Sequence, residues 1–416
     1  MKYPIGIQDF EDLRRNGYAY VDKTHFVYKL ADEGKYYFLS RPRRFGKSLF
    51  LSTLEAYFQG KKELFEGLDI YNLETEWKKY PIFHIDLNTA NFREKDSLYH
   101  VLNDYLTTWE DKYGIRESEV TLPLRFKGVI ARAAEKEGRN VVILVDEYDK
   151  PILQTLRDPE LQTEHRELLK AFYSVLKTQD RYIKFVFLTG VTKFGKVSVF
   201  SDLNNLMDIS MDHRYVNICG TTEEELKSYF KEGISELASA NGDSESETID
   251  KLRMRYGGYH FEKNSKGIYN PFSVLNTLAK HRYKNYWFET GTPTFLIELL
   301  KEHVYRLPDL SKEQVSAIVM SRMDSAPTNL IPFIYQTGYL TIKGYDERFK
   351  KYQLGFPNKE VEEGFLNLLQ PLYNSAGDRI KKLCRSFRNG QTKSNHTRHQ
   401  LLQQDKSSRE LGNRIS

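Results

Sequence analysis

Cysteine is scarce in this sequence, and its two cysteines, Cys219 and Cys384, lie far apart. They predict neither a disulfide framework nor a cysteine metal site, and they fit a reducing cytoplasm. The ten histidines show no spacing typical of metal ligands, so we expect no zinc. Long apolar runs are also absent: none approaches the ~20 residues that span a bilayer, and MKYPIGIQDFEDL at the start contains no secretory segment. We therefore expect a cytoplasmic protein that is not inserted in a membrane.

The main body of the chain also lacks an excess of positive charge, although the whole sequence carries a net charge of +5. Residues 377–416 contain ten Lys/Arg against three Asp/Glu, a net charge of +7, so the other 376 residues carry −2. Overall charge therefore gives no argument for nucleic-acid binding. The 416 residues are 40% hydrophobic and 29% charged, which is typical of a globular protein of two or three domains.

Short apolar runs alternate with helical patterns over the first half of the chain. The strand-like runs are YYFLS, PIFHIDL, VVILVDE and KFVFLTG, and helices are expected at 47–58, 97–113, 122–137 and 160–177. VVILVDE is an almost continuous aliphatic run, which is typical of a strand buried on both faces of a parallel sheet. The alternation predicts an α/β core with a parallel sheet and right-handed crossovers.

The turn after YYFLS contains most of a phosphate-binding loop. The full pattern is GxxxxGK[ST], and residues 41–48 read RPRRFGKS, with Arg41 at the first glycine position. In such loops, backbone N–H groups and a helix N-terminus face the phosphates, while a lysine contacts the β- and γ-phosphates and a hydroxyl binds Mg²⁺. A basic surface turn is the alternative interpretation. The expected nucleotide contacts are Arg43, Arg44, Phe45, Gly46, Lys47, Ser48 and Leu49.

VVILVDE ends in Asp146 and Glu147, as a Walker B strand does. We expect Asp146, together with Ser48, to hold Mg²⁺ and Glu147 to polarise an attacking water. The loop and the acidic pair both end apolar strands, so both should lie at the carboxyl edge of one sheet, where ligands bind. An ordinary acidic strand end is the alternative. The adjacent Asp149 and Lys150 could join the site or form a surface pair, and the surface pair is the favoured interpretation.

The strand KFVFLTG ends near Thr189. In strand-inserted ATPases the strand after the Walker B strand ends in a polar residue that senses the γ-phosphate, and Thr189 is our candidate. An ordinary hydroxyl at a strand end is the alternative. The predicted catalytic residues are therefore Lys47, Glu147 and Thr189. Arg43 or Arg44 is interpreted either as a finger on the γ-phosphate or as a tie between the loop and nearby carboxylates.

Taken in order, these segments resemble the AAA-ATPase-like family of bacterial proteins. The resemblance covers about residues 3–370 and is carried by PIGIQDFEDLRRNGYAYVDKT, FLSRPRRFGKSLFLSTLEAYF, VVILVDEYDKPI, FVFLTGVTKFGKVSVFSDLNNL and YGGYHF…YNPFSVLN. RPRRFGKSL is that family's own form of the loop. The resemblance implies a strand-inserted P-loop NTPase core of the ASCE/AAA type, a helical or winged-helix-like second domain, and ATP with Mg²⁺ as cofactors.

Four parts are expected along the chain: an NTPase core at 1–215, a helical or winged-helix-like lid at 216–300, a mostly helical extension at 301–374 and a basic disordered tail at 375–416. Family members commonly continue into a PD-(D/E)XK nuclease-like domain. No strand with (D/E)-x-K follows Phe356, so we expect that domain to be missing. A frameshift or a truncated gene is the hypothesis for the tail.

Four functional interpretations remain open at this point. The first is a Mg²⁺-dependent ATPase that drives a movement of the lid. The second is a nucleotide-dependent switch that barely hydrolyses ATP and binds a protein or nucleic-acid partner. The third is an ATPase that serves a nuclease, and the fourth is an inert truncated product. The sequence identifies neither the partner nor the oligomeric state.

Overall fold

The structure is a computed structural model that describes residues 1–193, 205–291, 314–320 and 330–376. Its strands are β1 Tyr36–Ser40, β2 Ile82–Asp86, β3 Val141–Asp146, β4 Ile183–Gly190, β5 Met207–Asp208, β6 Gln314–Ser316, β7 Thr341–Asp346 and β8 Lys351–Gly355. Its helices are α1 Phe10–Arg15, α2 Thr24–Glu33, α3 Lys47–Phe58, α4 Asp69–Leu73, α5 Ser97–Tyr113, α6 Leu122–Glu137, α7 Lys150–Gln154, α8 Pro159–Thr178, α9 Glu223–Tyr229, α10 Lys231–Asn241, α11 Glu245–Tyr256, α12 Pro271–Lys280, α13 Tyr286–Gly291, α14 Ala317–Met320, α15 Ile331–Gln336 and α16 Lys359–Ala376.

The larger sheet has the strand order β2-β3-β4-β1-β5, and all of its pairings are parallel. β4 therefore lies between β1 and β3, the two strands that carry the predicted motifs. Ser40 is opposite Gly190, and Asp86 is opposite Asp146, so the carboxyl ends of the strands form one edge. β3 is buried along its whole length, as its aliphatic sequence predicts. The predicted parallel α/β core is confirmed.

Aromatic side chains pack the helices against this sheet. Phe83 of β2 stacks on Trp109 of α5 at 4.3 Å between ring centroids, and Phe126 of α6 stacks on Phe172 of α8 at 4.3 Å. Such stacks add to the stabilisation that comes from burying the ring surface. The bounds of α5 and α6 are those predicted from the sequence, and α8 extends one residue beyond each predicted end.

A second helical region follows the core and has its own apolar cluster. Its start is fixed by a capping box, in which the Thr222 side chain accepts the N–H of Glu225 and the Glu225 carboxylate accepts the N–H of Thr222. Asn270 caps α12 in the same region, and Pro271 takes its first turn. The cluster comprises Leu226, Phe230, Ile234, Leu237, Leu252, Tyr256, Tyr269, Val274 and Leu278.

Beyond these helices, β6, β8 and β7 form a small antiparallel sheet. Phe333 of α15 and Phe365 of α16 belong to the same apolar cluster as the large sheet, so this part packs on the core. The expected disordered tail at 375–416 lies outside the described residues apart from its first two positions. Within the described ranges, no helix combines the length and the apolar character needed to cross a lipid bilayer.

A buried carboxylate connects α16 to the second helical region. Glu360 is fully buried, and it accepts the backbone N–H of Trp287 at 2.8 Å and the hydroxyl of Ser273 at 2.8 Å. Burial raises the pKa of Glu360 from 4.5 to about 7, because the charged form loses hydration. The folded protein therefore binds this proton more tightly than the unfolded chain does.

This carboxyl group should make stability depend on pH. Because its pKa is higher in the folded state, its contribution to the free energy of unfolding is largest below pH 4.5 and is lost as the pH rises to about 7. Relative to Glu360→Gln, the wild type should lose about 3 kcal/mol over this range in denaturant unfolding. Glu117→Gln, at an exposed position, is the control and should parallel the wild type. A constant difference between wild type and Glu360→Gln would contradict the assignment.

Candidate functional site

Arg41, which stands where a glycine was expected, is a core residue. Its guanidinium donates to the carbonyl oxygens of Ser210 at 2.7 Å, Tyr215 at 3.2 Å and Ser40 at 2.9 Å. Its Cζ atom lies 4.0 Å from the centroid of the Phe261 ring. Burial lowers the pKa of Arg41 to about 10, which still leaves it charged at neutral pH. The residue thus ties the start of the 41–48 loop to the segment around 210–215.

The backbone of the 41–48 loop presents donors without acceptors. The N–H groups of Arg43, Arg44, Phe45 and Gly46 find no hydrogen-bond acceptor in the described part of the chain. Arg44 and Gly46 have φ angles of 65° and 96°, in the left-handed region. Successive free N–H groups in such a turn, followed by the start of α3, form a concave site suited to an anion.

The carbonyl oxygens of the same loop are engaged. Lys47 Nζ donates to the carbonyl of Arg41 at 3.1 Å, Trp287 Nε1 to that of Arg43 at 2.9 Å, and Gly220 N to that of Phe45 at 3.0 Å. These contacts fix the loop's carbonyl groups and leave its N–H groups available. The loop is therefore organised before any ligand is bound.

Lys47 and Glu147 meet directly. Lys47 Nζ lies 3.1 Å from Glu147 Oε1, and the lysine is only 4% exposed. The structure thereby brings together the loop after β1 and the acidic residues that end β3. Glu147 itself has a φ of 52°, a conformation that costs a residue with a Cβ about 1 kcal/mol or more. Such a backbone conformation at a candidate site is typical of a functional position.

Asp146 and Thr189 form a second contact at the same edge. The Thr189 hydroxyl donates to Asp146 Oδ1 at 2.5 Å, and the N–H of Glu147 donates to the same oxygen at 3.1 Å. Thr189 is fully buried, so its side chain contacts Asp146 and does not line the cleft. The arrangement orients the carboxylate of Asp146.

The oxygen groups at this edge fit Mg²⁺, the ion that the resemblance implies. Mg²⁺ prefers oxygen ligands, usually one or two protein groups completed by water and phosphate. Both hydrogen bonds to Asp146 go to Oδ1, so Oδ2 accepts none from the described residues. The hydroxyl of Ser48, at the start of α3, lines the adjoining cleft. Carboxylate and hydroxyl oxygens are the type of ligand that such an ion binds, although Asp146 itself is buried and, like Thr189, does not line the cleft.

Asp149 has a role that the sequence did not reveal. It is fully buried and accepts the N–H of Val191 at 3.1 Å and both the N–H and the hydroxyl of Thr192 at 2.6 Å. Burial, and next the charge of Glu147, raise the pKa of Asp149 to about 6. The expected surface pair with Lys150 is wrong, because Lys150 instead donates to the carbonyl of Asn88. Asp149 thus ties the end of β3 to the end of β4.

A cleft of about 610 Å³ lies over this edge. All the expected contacts of the loop line it except Phe45, whose ring is buried against Tyr259 and Phe261. The cleft is completed by groups that the sequence did not single out, among them Asp86 at the end of β2 and Arg93. Its remaining walls come from residues 4–8 and from Pro271, Phe272, Leu275 and Thr290.

An apolar pocket of about 100 Å³ adjoins the cleft. It lies against Gly46 and Leu49, and its other walls include Tyr20, Val21 and Ile218. Pro4, Gly46, Leu49, Pro271 and Leu275 line both cavities, so the two lie side by side. The N-terminal segment, the loop and α12 thus border both the polar cleft and the apolar pocket.

A parallel sheet of this strand order, with the 41–48 loop between β1 and α3, defines a P-loop NTPase core of the strand-inserted kind. The chain belongs to the family described as Predicted AAA-ATPase, whose model matches residues 4–200. It is also 40% identical over 365 residues to the "Uncharacterized protein in vnfD 5'region" of Azotobacter chroococcum mcd 1. That match spans 87% of this chain and 68% of the relative. Family membership indicates nucleotide binding and suggests ATPase activity.

Asp149 and its neighbour Lys150 should contribute very differently to the free energy of unfolding, because Asp149 is a buried hydrogen-bond acceptor. Asp149→Ala leaves the N–H groups of Val191 and Thr192 without an acceptor, so the free energy of unfolding should fall by about 3 kcal/mol. Lys150→Ala removes a side chain whose hydrogen bonds within the described residues go to Asn88, and it should change the free energy of unfolding by less than about 1 kcal/mol. Urea titrations of the two variants make the comparison. Equal effects would restore the surface pair as the better interpretation.

Proposed function

We propose that this protein binds ATP together with Mg²⁺ in the cleft beside the 41–48 loop and hydrolyses it. One observation carries the proposal: an ammonium group from the loop and a carboxylate from the end of β3 lie 3.1 Å apart at the edge of one parallel sheet. The N–H groups of residues 43–46, which have no acceptor among the described residues, support it, because they would form a site for phosphate oxygens. The family supports nucleotide binding in general.

In this proposal the residues of the loop hold the phosphates. Lys47 leaves the loop carbonyls for the β- and γ-phosphates, and the N–H groups of Arg44 to Gly46 donate to phosphate oxygens. Arg43 and Arg44 line the cleft and add positive charge near the γ-phosphate. The Arg44 side chain lies 4.4 Å from the ring of Phe272, which favours a role in joining the loop to α12.

The acidic side of the cleft supplies the remaining groups. Ser48 and Asp146 would hold Mg²⁺, which neutralises charge on the transferred phosphoryl group when it is bound. Glu147 acts as the general base that orients and polarises water. Thr189 is a positioning residue, because its hydroxyl contacts Asp146 and lies outside the cleft.

The apolar pocket beside the cleft is the proposed site of the base. Its volume of about 100 Å³ is several times the space that one water needs but less than the ~150 Å³ of an engineered apolar cavity that binds benzene, so it would take one edge of the larger two-ring base. The walls from Tyr20, Val21, Leu49 and Ile218 suit a flat aromatic ring. ATP is assigned as the nucleotide on the strength of the family.

The proposal keeps the division of the chain into a core at 1–215, a lid at 216–300 and an extension at 301–374. Pro271, Phe272 and Leu275 of α12 line the cavity, so a bound nucleotide would contact the core and the second helical region at once. Such a bridging ligand favours the closed arrangement of the two parts. We place the protein in the cytoplasm.

A nucleotide-dependent switch with little hydrolysis is the second candidate, and the Lys47–Glu147 ion pair favours it. Glu147 Oε1 is engaged by Lys47 Nζ at 3.1 Å, so this oxygen is not available to a water while the pair persists. If phosphate binding leaves the pair in place, Glu147 cannot activate water. ATP would then stay bound for long periods without being hydrolysed. The ATP-bound state could bind a protein or nucleic-acid partner.

Removal of the Lys47 side chain tests binding. Fluorescent ATP titrated with Mg²⁺ should bind Lys47→Ala about 10- to 100-fold more weakly than the wild type, because charge-assisted hydrogen bonds to phosphate are lost. Lys61→Ala is the matched control: Lys61 pairs with Glu11 outside the cleft, and its removal should leave affinity unchanged. Titrations with GTP test the preference for the adenine base, and titrations without Mg²⁺ test whether binding depends on the ion. Equal ATP affinity in Lys47→Ala and in the wild type would contradict the nucleotide proposal.

A neutral substitute for Glu147 tests turnover. Glu147→Gln should retain ATP binding and lower phosphate release by roughly 10²- to 10⁴-fold, the usual contribution of a general base. Glu117→Gln, far from the cleft residues in sequence and exposed, is the control. A wild-type rate no higher than that of Glu147→Gln, at equal ATP affinity, would contradict the ATPase and favour the switch.

A further inference from the structure

The outer face of the 41–48 loop is held by residues far along the chain. The indole of Trp287, in α13, donates from Nε1 to the carbonyl oxygen of Arg43 at 2.9 Å. The peptide unit is planar and trans, so fixing the Arg43 carbonyl also fixes the direction of the Arg44 N–H, which points away from the indole. That N–H is one of the donors that find no acceptor among the described residues.

The contact also bears on backbone strain. Arg44 has a φ of 65°, a region that residues other than glycine enter only where the surroundings enforce it. The hydrogen bond from Trp287 to the carbonyl oxygen of the preceding residue, Arg43, helps to hold Arg44 in this conformation. Two positions on, the N–H of Gly220 holds the carbonyl of Phe45 at 3.0 Å in the same way. Alternate peptides of the loop are thus held from outside the core sheet.

Trp287 is itself held from two directions. Its backbone N–H donates to Glu360 Oε1 of α16 at 2.8 Å and lies 3.2 Å from the Ser273 hydroxyl. Its ring packs on Tyr339 with centroids 5.1 Å apart. Beside it, a Cβ on Gly338 would lie 2.6 Å from Pro42, so only glycine allows this turn to close on the loop. The loop, α13 and α16 form one connected unit.

We propose that Trp287 is a positioning residue for the phosphates of the nucleotide, and that the chain of contacts from Glu360 through Trp287 to Arg43 couples α16 to the nucleotide site. This proposal rests on the proposed function in naming ATP as the ligand. Coupling between two sites is reciprocal: whatever displaces α16 weakens ATP binding, and ATP binding stabilises the position of α16. The helix is thereby a control element of the cleft.

Trp287→Phe is the central test. It keeps an aromatic ring against Tyr339 and removes the N–H that holds the Arg43 carbonyl. Fluorescent ATP should bind this variant about tenfold more weakly. Trp77→Phe is the matched control, since Trp77 also donates its indole N–H to a carbonyl, that of Glu74, outside the cleft. Its affinity for ATP should equal that of the wild type.

Hydrogen exchange without nucleotide gives a readout that does not depend on ATP. Amides of the 41–48 loop should exchange faster in Trp287→Phe than in the wild type or in Trp77→Phe. Glu360→Ala should produce part of the same increase, and Glu360→Gln, which keeps an acceptor for the Trp287 N–H, should restore the wild-type rate. With ATP present, peptides of α16 should be protected in the wild type and less so in Trp287→Phe.

The outcomes separate the two proposals. If the wild type fails to bind ATP while Trp287→Phe still loosens the loop, the proposed function is overturned and the positioning role stands. If the wild type binds ATP in a Lys47-dependent manner and Trp287→Phe changes neither affinity nor loop exchange, the coupling proposal is overturned. Equal loss of affinity in Trp77→Phe would also overturn it, because the effect would then be one of general stability.

Discussion

The pairing of β4 between β1 and β3 is the constraint on which the rest of the structure depends. Parallel hydrogen bonds on both sides of β4 fix the register, so that Ser40 lies opposite Gly190 and Val145 opposite Leu188. The loop that follows β1 and the acids that end β3 must then reach across one strand to meet. Lys47 is long enough to do so from the first turn of α3, and it reaches Glu147. The contact between Lys47 and Glu147 therefore depends on the order of the strands as well as on the two sequence motifs.

Side chains below the cleft maintain this edge. Asp149 binds the segment after β4 to the segment after β3, and the Thr189 hydroxyl joins β4 to Asp146. A Cβ on Gly190 would lie 2.7 Å from Asp149 Oδ1 and from the Tyr148 ring, so the strand end has no room for a larger residue. Close packing of this kind leaves the groups at the edge few alternative positions. Preorganised groups of this sort are what electrostatic stabilisation of a phosphoryl group requires.

The parallel sheet could be predicted from the sequence, and the centre of the candidate site could be proposed from it, because their signals are local. Aliphatic runs marked β3 and β4, and the loop and the acidic pair stand beside those runs in the chain. The remaining parts depend on contacts between distant positions. Trp287 and Arg43 are 244 positions apart, and Glu360 meets Trp287 across 73. Asp149 reads as a surface residue in sequence, and only the packing of Val191 and Thr192 against it reveals a buried acceptor.

The burial of Arg41 changes what its position in the motif means. In the common form of the loop the first residue is a glycine. Here a guanidinium at that point is surrounded by three carbonyl oxygens and an aromatic face. Replacing Arg41 with the consensus glycine would therefore leave a cavity in the interior and three buried carbonyl oxygens without this donor. In this protein, a residue that matched the common pattern at position 41 would destabilise the packing beneath the loop. Substitutions of Arg41 should therefore act mainly by impairing folding.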